Sequence, residues 1–316
     1  MHETCPATVH DTRREPPVTL PNDAGRGDKS LTIRRLVRVD FNTRVRIQNL
    51  RIPFRSLTNP WRMLPSFLVI GAQRCGTTSL YDYLCAHPQI RPALRKETLY
   101  FTKYFDRGSG WYRACFPIGP RHAGEITGEA TPYYLCHPAA PDRVVASLPD
   151  VKLIALLRNP VDRAFSQFRH MSQRERESLP FDAVVDLATA TPYDAMERIA
   201  VRQMERGDSE APDRARRANL LYYGTYARHL KRWMRVFPRE RLLVLRSDEL
   251  FSKPQETVNR AVEFLGLPTH ELKSFAVGSK GEIPGEMSPE ARRKLTGFFA
   301  PFNEELRELL NLDHLW

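Results

Sequence analysis

From residue 63 onward, apolar residues gather into short runs separated by turn and cap residues; before that point they are sparse. Phe67 to Ile70 reads as a buried strand. After Gly71–Gly76 the spacing changes: Leu80, Tyr81 and Leu84 share one face of a helix that starts at Thr77. Glu125–Glu129 reads as a short strand, and Arg241–Arg246 as another apolar one. Val151–Leu157 is nearly continuous in apolar residues, as expected of a parallel sheet covered on both faces. Pro160 opens a helix where its missing N–H costs nothing, with Val161, Phe165 and Phe168 as its apolar stripe. Tyr226, Leu230, Trp233 and Phe237 recur at helical spacing. Pro254 opens a helix carrying Val258, Val262 and Leu265; Ser288 caps, and Pro289 opens, the last one. Residues 205–219 are charged and poor in apolar side chains, so a surface loop is expected there. Strands alternating with helices predict an α/β chain, doubly wound, with a central parallel sheet and helices on both faces.

The first 62 residues behave differently. Residues 1–30 are polar and read as disordered. Residues 31–62 hold eight arginines against one acid, Asp40. There Val37, Val39 and Phe41 alternate as a short strand would. The expected organisation is therefore a basic, partly disordered arm over 1–62 and a domain over 63–316. The arm either packs loosely on the domain or contacts an anionic surface or partner.

Composition adds a bias. Of 316 residues, 48 are basic and 37 acidic, a net charge of +11. This suits an anionic ligand: a nucleotide, a sulfated or carboxylated sugar, or a nucleic acid. No apolar run approaches the ~18 residues that span a bilayer, so no transmembrane segment is expected. The first thirty residues lack the apolar core of a secretory signal. The five cysteines, Cys5, Cys75, Cys85, Cys115 and Cys136, form neither a CxxC pair nor a zinc spacing. Free thiols point to a reducing compartment and a cytoplasmic location.

Chemistry concentrates after the first strand. Gly71 to Thr78 (GAQRCGTT) lies between a strand and a helix, the context of a phosphate-binding loop. Glycines let backbone N–H groups turn inward, and the helix start adds positive potential. The spacing is that of GxxxxGK[ST], but Thr77 occupies the lysine position and the available cation is Arg74. The strand Lys152–Leu157 runs into Arg158-Asn159 rather than a magnesium-holding aspartate. Both features weigh against a kinase or nucleotide hydrolase and favour a nucleotide handled without a metal. A second anion site is offered by Arg158 to Ser166 (RNPVDRAFS), with Arg158 at a strand's carboxyl end and Ser166 two turns into a helix. Read alone, the same segment is also an ordinary strand–proline–helix junction.

Leu68 to Leu80 (LVIGAQRCGTTSL) resembles the 5'-phosphosulfate loop of sulfotransferases that use 3'-phosphoadenosine-5'-phosphosulfate (PAPS). The nearest types are the heparan sulfate N- and 3-O-sulfotransferases and their bacterial counterparts. The likeness runs from about residue 63 to the C-terminus. It implies a P-loop-type three-layer fold, a soluble prokaryotic enzyme, and sulfuryl transfer to a hydroxyl or amine of a carbohydrate or glycoconjugate, with no nucleic acid partner. PAPS is the implied donor, adenosine-3',5'-bisphosphate the product, and no metal is required. The resemblance assigns Arg74, Cys75, Gly76, Thr77, Thr78 and Ser79 to the phosphosulfate, and Arg158 and Ser166 to the 3'-phosphate. Lys280 and Gly281 match a late basic loop that closes over the donor. Glu97, in Arg95 to Phe101 (RKETLYF), matches the catalytic glutamate that precedes an aromatic pair, and so implies a general base.

Two positions depart from that pattern. Ala130, in Gly128 to Tyr134 (GEATPYY), stands where several glycan sulfotransferases carry a lysine, and Glu282 stands where an arginine is usual. Glu129 is open to a positioning or a structural role. His137 and His170 are reserve bases, and Tyr222, Tyr223, Tyr226 and Trp233 are candidates for an acceptor cleft as well as for the core. The competing functions are a P-loop kinase or hydrolase and a non-catalytic binder of anionic glycans through the basic arm.

Overall fold

The computed structural model describes residues 50–173, 177–206, 213–272, 274–275 and 286–316. The arm up to residue 49, including the strand expected at Val37 to Phe41, lies outside these residues, as do Lys280, Gly281 and Glu282. The chain divides into Met1–Arg44 and Val45–Trp316, and the description concerns the second unit.

The elements run β1 (Phe67–Gly71), α1 (Thr77–Cys85), β2 (Ile90–Pro92), α2 (Gly108–Arg113), β3 (Ile126–Ala130), α3 (Ala140–Ser147), β4 (Lys152–Leu157) and α4 (Pro160–Ser172). They continue through α5 (Phe181–Thr189), α6 (Tyr193–Arg206), α7 (Asp213–Tyr222), α8 (Tyr226–Met234), β5 (Leu242–Arg246), α9 (Ser247–Ser252), α10 (Pro254–Leu265) and α11 (Pro289–Leu310). Five strands form one sheet in the order β2-β3-β1-β4-β5, and every neighbouring pair is parallel. This is the P-loop-type α/β fold, with helices around the sheet.

β1 is central, and all five of its residues are buried, which is why its sequence reads as an unbroken apolar run. It pairs with β3 through Phe67 opposite Gly128, and with β4 through Phe67 opposite Lys152. A side chain at Gly128 would bring a Cβ within 2.5 Å of the Phe67 ring, so the close contact requires glycine. The proline-opened helices form as the sequence predicts. Asn159 Oδ1 accepts from the Val161 N–H at 3.0 Å, and Ser288 Oγ from the Ala291 N–H at 3.0 Å, each replacing a bond missing at a helix start.

A second apolar cluster joins α4, α5, α6, α7 and α11 through Val161, Val184, Met196, Leu221, Leu295 and Phe299. Here the structure corrects the loop expected over 205–219. α6 extends to Arg206 and α7 begins at Asp213. Ala218, Leu220 and Leu221 are buried, a short apolar patch at the helix end that the charged residues before it mask in sequence. The aromatic candidates for an acceptor cleft are also core. Tyr222, Tyr223, Tyr226 and Trp233 are all buried, and three of them spend their polar atoms on backbone carbonyls: Tyr222 on Cys136, Tyr226 on Arg158 and Trp233 on Leu135. Among the described residues no helix is long and apolar enough to cross a membrane.

Two buried histidines set an acid limit on this core. Burial lowers His229 to about 3 and His137 to about 4. His229 Nε2–H donates to the Tyr222 carbonyl at 2.8 Å. His137 Nε2 lies 3.7 Å from Glu205, but desolvation outweighs that neighbour, so the contact is not an ion pair near neutrality. Below pH 6.5 the unfolded chain binds protons that the folded chain refuses, so this stability is complete above pH 6.5 and is lost as the pH falls toward 4. Urea denaturation should therefore show a loss of about 2–4 kcal/mol between pH 7 and pH 5, with a shallower slope for His229→Gln.

Candidate active site

The site is built at the carboxyl ends of three adjacent strands, β3, β1 and β4. From β1 the chain enters the loop Ala72–Gly76 and then α1. Gly76 holds φ 94° as the residue before α1, and a Cβ there would meet the Phe251 ring at 2.9 Å; only glycine fits both conditions. No side chain caps α1, and its first internal bond is from the Leu80 N–H to the Gly76 carbonyl at 3.0 Å. The N–H groups of Gly76, Thr77, Thr78 and Ser79 therefore lack partners within the helix, the arrangement that receives an anion. The Thr78 side chain is exposed, whereas those of Cys75, Thr77 and Ser79 are buried. Thr77 and Ser79 thus have their backbone N–H groups to offer a ligand, whereas the Cys75 N–H donates to the Ala72 carbonyl at 3.3 Å. The loop is tied down from below: Ser247 Oγ donates to the Cys75 carbonyl at 2.8 Å, and Cys75 Sγ lies 3.7 Å from Tyr226 Oη.

The second anion motif follows β4, the neighbour of β1. Arg158 is half-buried at its end, and its carbonyl accepts from Tyr226 Oη at 2.9 Å. Tyr226 thus fastens both motifs to α8. Arg74 Nε reaches Ser166 Oγ on α4 at 3.4 Å. The two motifs, 92 residues apart at this contact, are one site in space.

Glu97 enters from the other side of β1. Its N–H donates to the Ala130 carbonyl at the end of β3, at 3.0 Å. Its carboxylate, 25% exposed, lies 3.0 Å from Lys96 Nζ, and Lys96 Nζ donates to Thr78 Oγ1 at 2.5 Å. Lys96 is the residue that sequence reasoning missed as a loop cation. Its only signal is adjacency to Glu97, because Thr78 lies 18 residues earlier. It brings a positive charge to the loop beside Ala130, where the expected lysine is absent.

Backbone geometry marks the same residues. Among the described residues, positive φ outside glycine occurs at Arg74 (67°), Glu97 (63°), Leu99 (57°) and Asn311 (53°). Asn311 ends a helix, a common place for it. The other three surround the site, where backbone strain of about 1–3 kcal/mol per residue is held by surrounding contacts.

For Glu97 and Leu99, Glu129 supplies that hold. It is fully buried. Its carboxylate accepts from the hydroxyls of Thr98, Tyr112, Thr131 and Tyr134 at 2.7–2.9 Å and from the Thr98 N–H at 3.3 Å. Its role is structural, since it fixes the turn that carries Glu97. His137 is buried and Lys280 and Gly281 are undescribed, so none of these enters the geometry.

A family profile, the sulfotransferase domain, matches residues 64–279. This chain belongs to the sulfotransferase family. It is 30% identical over 278 residues to the mouse heparan sulfate glucosamine 3-O-sulfotransferase 6, covering 81% of this chain and 74% of that one. It is 29% identical over 276 residues to the human bifunctional heparan sulfate N-deacetylase/N-sulfotransferase 3, covering 78% of this chain but 30% of that protein. Among solved structures, a sulfotransferase from Alicyclobacillus acidocaldarius superposes with a TM-score of 0.64 at 31% identity, covering 79% of this chain and 97% of that one. The chain is thus a PAPS-dependent transferase, and the kinase and binding-module readings fall away.

Glu129→Gln should cost about 2–4 kcal/mol, because an amide N–H₂ would face hydroxyls that already donate there. Urea denaturation measures this cost. Turnover should fall with it as the Glu97 turn loosens.

Proposed function

We propose that the enzyme transfers a sulfuryl group from PAPS to a hydroxyl or amine of a carbohydrate or glycoconjugate. The observation that carries the site assignment is the strand order β3-β1-β4, which sets Glu97, the phosphate loop and Arg158 side by side. The donor's 5'-phosphosulfate would lie on the N–H groups of Gly76 to Ser79, between Arg74 and Lys96. Its 3'-phosphate would bind Arg158 and Ser166. Lys280 and Gly281 keep their place in this reading as the closing basic loop.

Glu97 is the general base. It takes the proton of the acceptor O–H or N–H, and the freed lone pair forms the bond to sulfur. The bond from sulfur to the 5'-phosphate oxygen breaks, and its electrons leave on adenosine-3',5'-bisphosphate. Arg74, Lys96 and the helix-start N–H groups stabilise the charge that grows on that oxygen. Lys96 Nζ lies between the Glu97 carboxylate and Thr78 Oγ1, so a bound phosphosulfate would share its ammonium with Glu97. A sulfuryl group carries less negative charge than a phosphoryl group, in keeping with a reaction that needs no metal. The carbohydrate acceptor rests on the named substrates of the relatives and on the +11 charge. The cytoplasmic location rests on the thiols. Cys75, Cys85, Cys115 and Cys136 are free, and burial pushes Cys85, Cys115 and Cys136 up to about 12, keeping them protonated.

Thermal shift tests the donor. Adenosine-3',5'-bisphosphate should raise the melting temperature equally with and without EDTA, and ATP with magnesium should raise it far less. The reverse order would overturn the assignment. Glu97→Gln should keep bisphosphate binding while turnover falls about 10²–10⁴-fold. Arg74→Ala and Lys96→Ala should each lower turnover by about 10²–10³-fold, measured with labelled PAPS.

A further inference from the structure

The segment that enters the domain carries apolar side chains that no described element covers. Residues 50–56 are helical and Asn59–Trp61 form a 3-10 turn. Leu50 and Phe54 lie one turn apart on the helix, Leu57 follows in the turn and Trp61 ends the 3-10 turn, and they are 73%, 77%, 77% and 65% exposed. Ile52 is 2% exposed and belongs to the core. The segment is thus anchored by one side and offers large apolar side chains on the other. Contiguous exposure of this kind marks an interaction site more often than chance.

Beside it lies a cavity of about 280 Å³ lined by Arg55, Arg62, Arg91, Arg121 and Ile118. Ile118 is 50% exposed and continues the apolar surface. Three of the guanidiniums are fixed by backbone carbonyls: Arg55 donates to Ala114 and Phe116, Arg62 to Arg55 and Phe116, and Arg91 to Ile118 and Gly119; Arg121 is exposed. These bonds orient the arginines without neutralising them. The one carboxylate within ion-pair distance of the four, among the described residues, is Glu125, 3.8 Å from Arg91. Burial first, and then the neighbouring Arg62, pushes Arg55 down. Fixed, clustered guanidiniums match the oxygens of a phosphate.

A soluble polyanion would satisfy the arginines and leave Phe54, Leu57 and Trp61 in water. A bilayer surface satisfies both, because headgroup phosphates meet the arginines while apolar side chains enter the boundary with the acyl chains. We propose that this face docks the enzyme on an anionic phospholipid surface, with Phe54, Leu57 and Trp61 inserted and a headgroup phosphate in the arginine cavity. Attachment here leaves the reaction site clear. Arg91 stands opposite Thr127 near the start of β3, whereas the Glu97 N–H binds Ala130 at that strand's end.

The test is cosedimentation of the full chain with vesicles of phosphatidylcholine alone or mixed with phosphatidylglycerol. The mixed vesicles should bind it, with a blue shift of tryptophan fluorescence and weakening by salt, and the neutral ones should not. The triple variant F54S/L57S/W61S should lose at least about tenfold in vesicle affinity while its turnover and bisphosphate binding stay unchanged. R121E should weaken binding to the charged vesicles. Absence of cosedimentation, or binding unaffected by the triple variant, would overturn the proposal. So would a wild-type dimer that the triple variant converts to monomer, which would make a second copy the occupant. Retention on heparin that depends on Arg121, without vesicle binding, would reassign the cavity to a soluble polyanion.

Discussion

The parallel pairing of β1 with β3 on one side and β4 on the other is the constraint on which the molecule depends. Parallel strands end on the same edge of the sheet, so the segments leaving neighbouring strands emerge side by side. The phosphate loop leaves β1, Arg158 leaves β4, and the turn bearing Glu97 is bonded to the end of β3. Residues far apart in the chain thereby become one site. The same pairing explains the composition of the strands: β1 is covered on both faces and can carry nothing but apolar side chains and the glycine that begins the loop.

Around that frame, rigidity comes from buried polar groups that are satisfied in place. Glu129 gathers four hydroxyls and a backbone N–H, which holds the neighbouring Glu97 turn in a conformation that non-glycine residues avoid. Tyr226 fastens the phosphate loop and the β4 junction to a single helix. The groups proposed for the chemistry are only partly buried. Lys96 spans the Glu97 carboxylate and the Thr78 hydroxyl, a set of contacts a donor anion can displace without disturbing the core. In the proposed mechanism stability and reactivity are divided between two glutamates, Glu129 sealed and Glu97 open.

The start of β3 shows another use of charge. There arginines are fixed by carbonyl oxygens around a cavity, next to apolar side chains that no described element covers. The reaction site and this face lie at different levels of β3, so an enzyme attached by one keeps the other free for donor and acceptor.

Much of this was legible along the chain. An apolar run followed by GAQRCGTT fixes a strand, a phosphate-binding turn and a helix start, because backbone geometry there depends on neighbours in sequence. Four of the five strands and the proline-opened helices were legible for the same reason. What sequence could not decide depends on contacts between distant residues. The helix α7 was hidden by the charged residues that open it in sequence. Tyr222, Tyr223, Tyr226 and Trp233 could have lined a cleft, and packing placed them in the core. Glu129 and Glu97 are both glutamates in short polar stretches, and only the fold buries one among hydroxyls and leaves the other beside Lys96. Lys96 became a cation of the phosphate loop only when β3 and β1 were set side by side. Local bonding determined the loop; strand order determined the site.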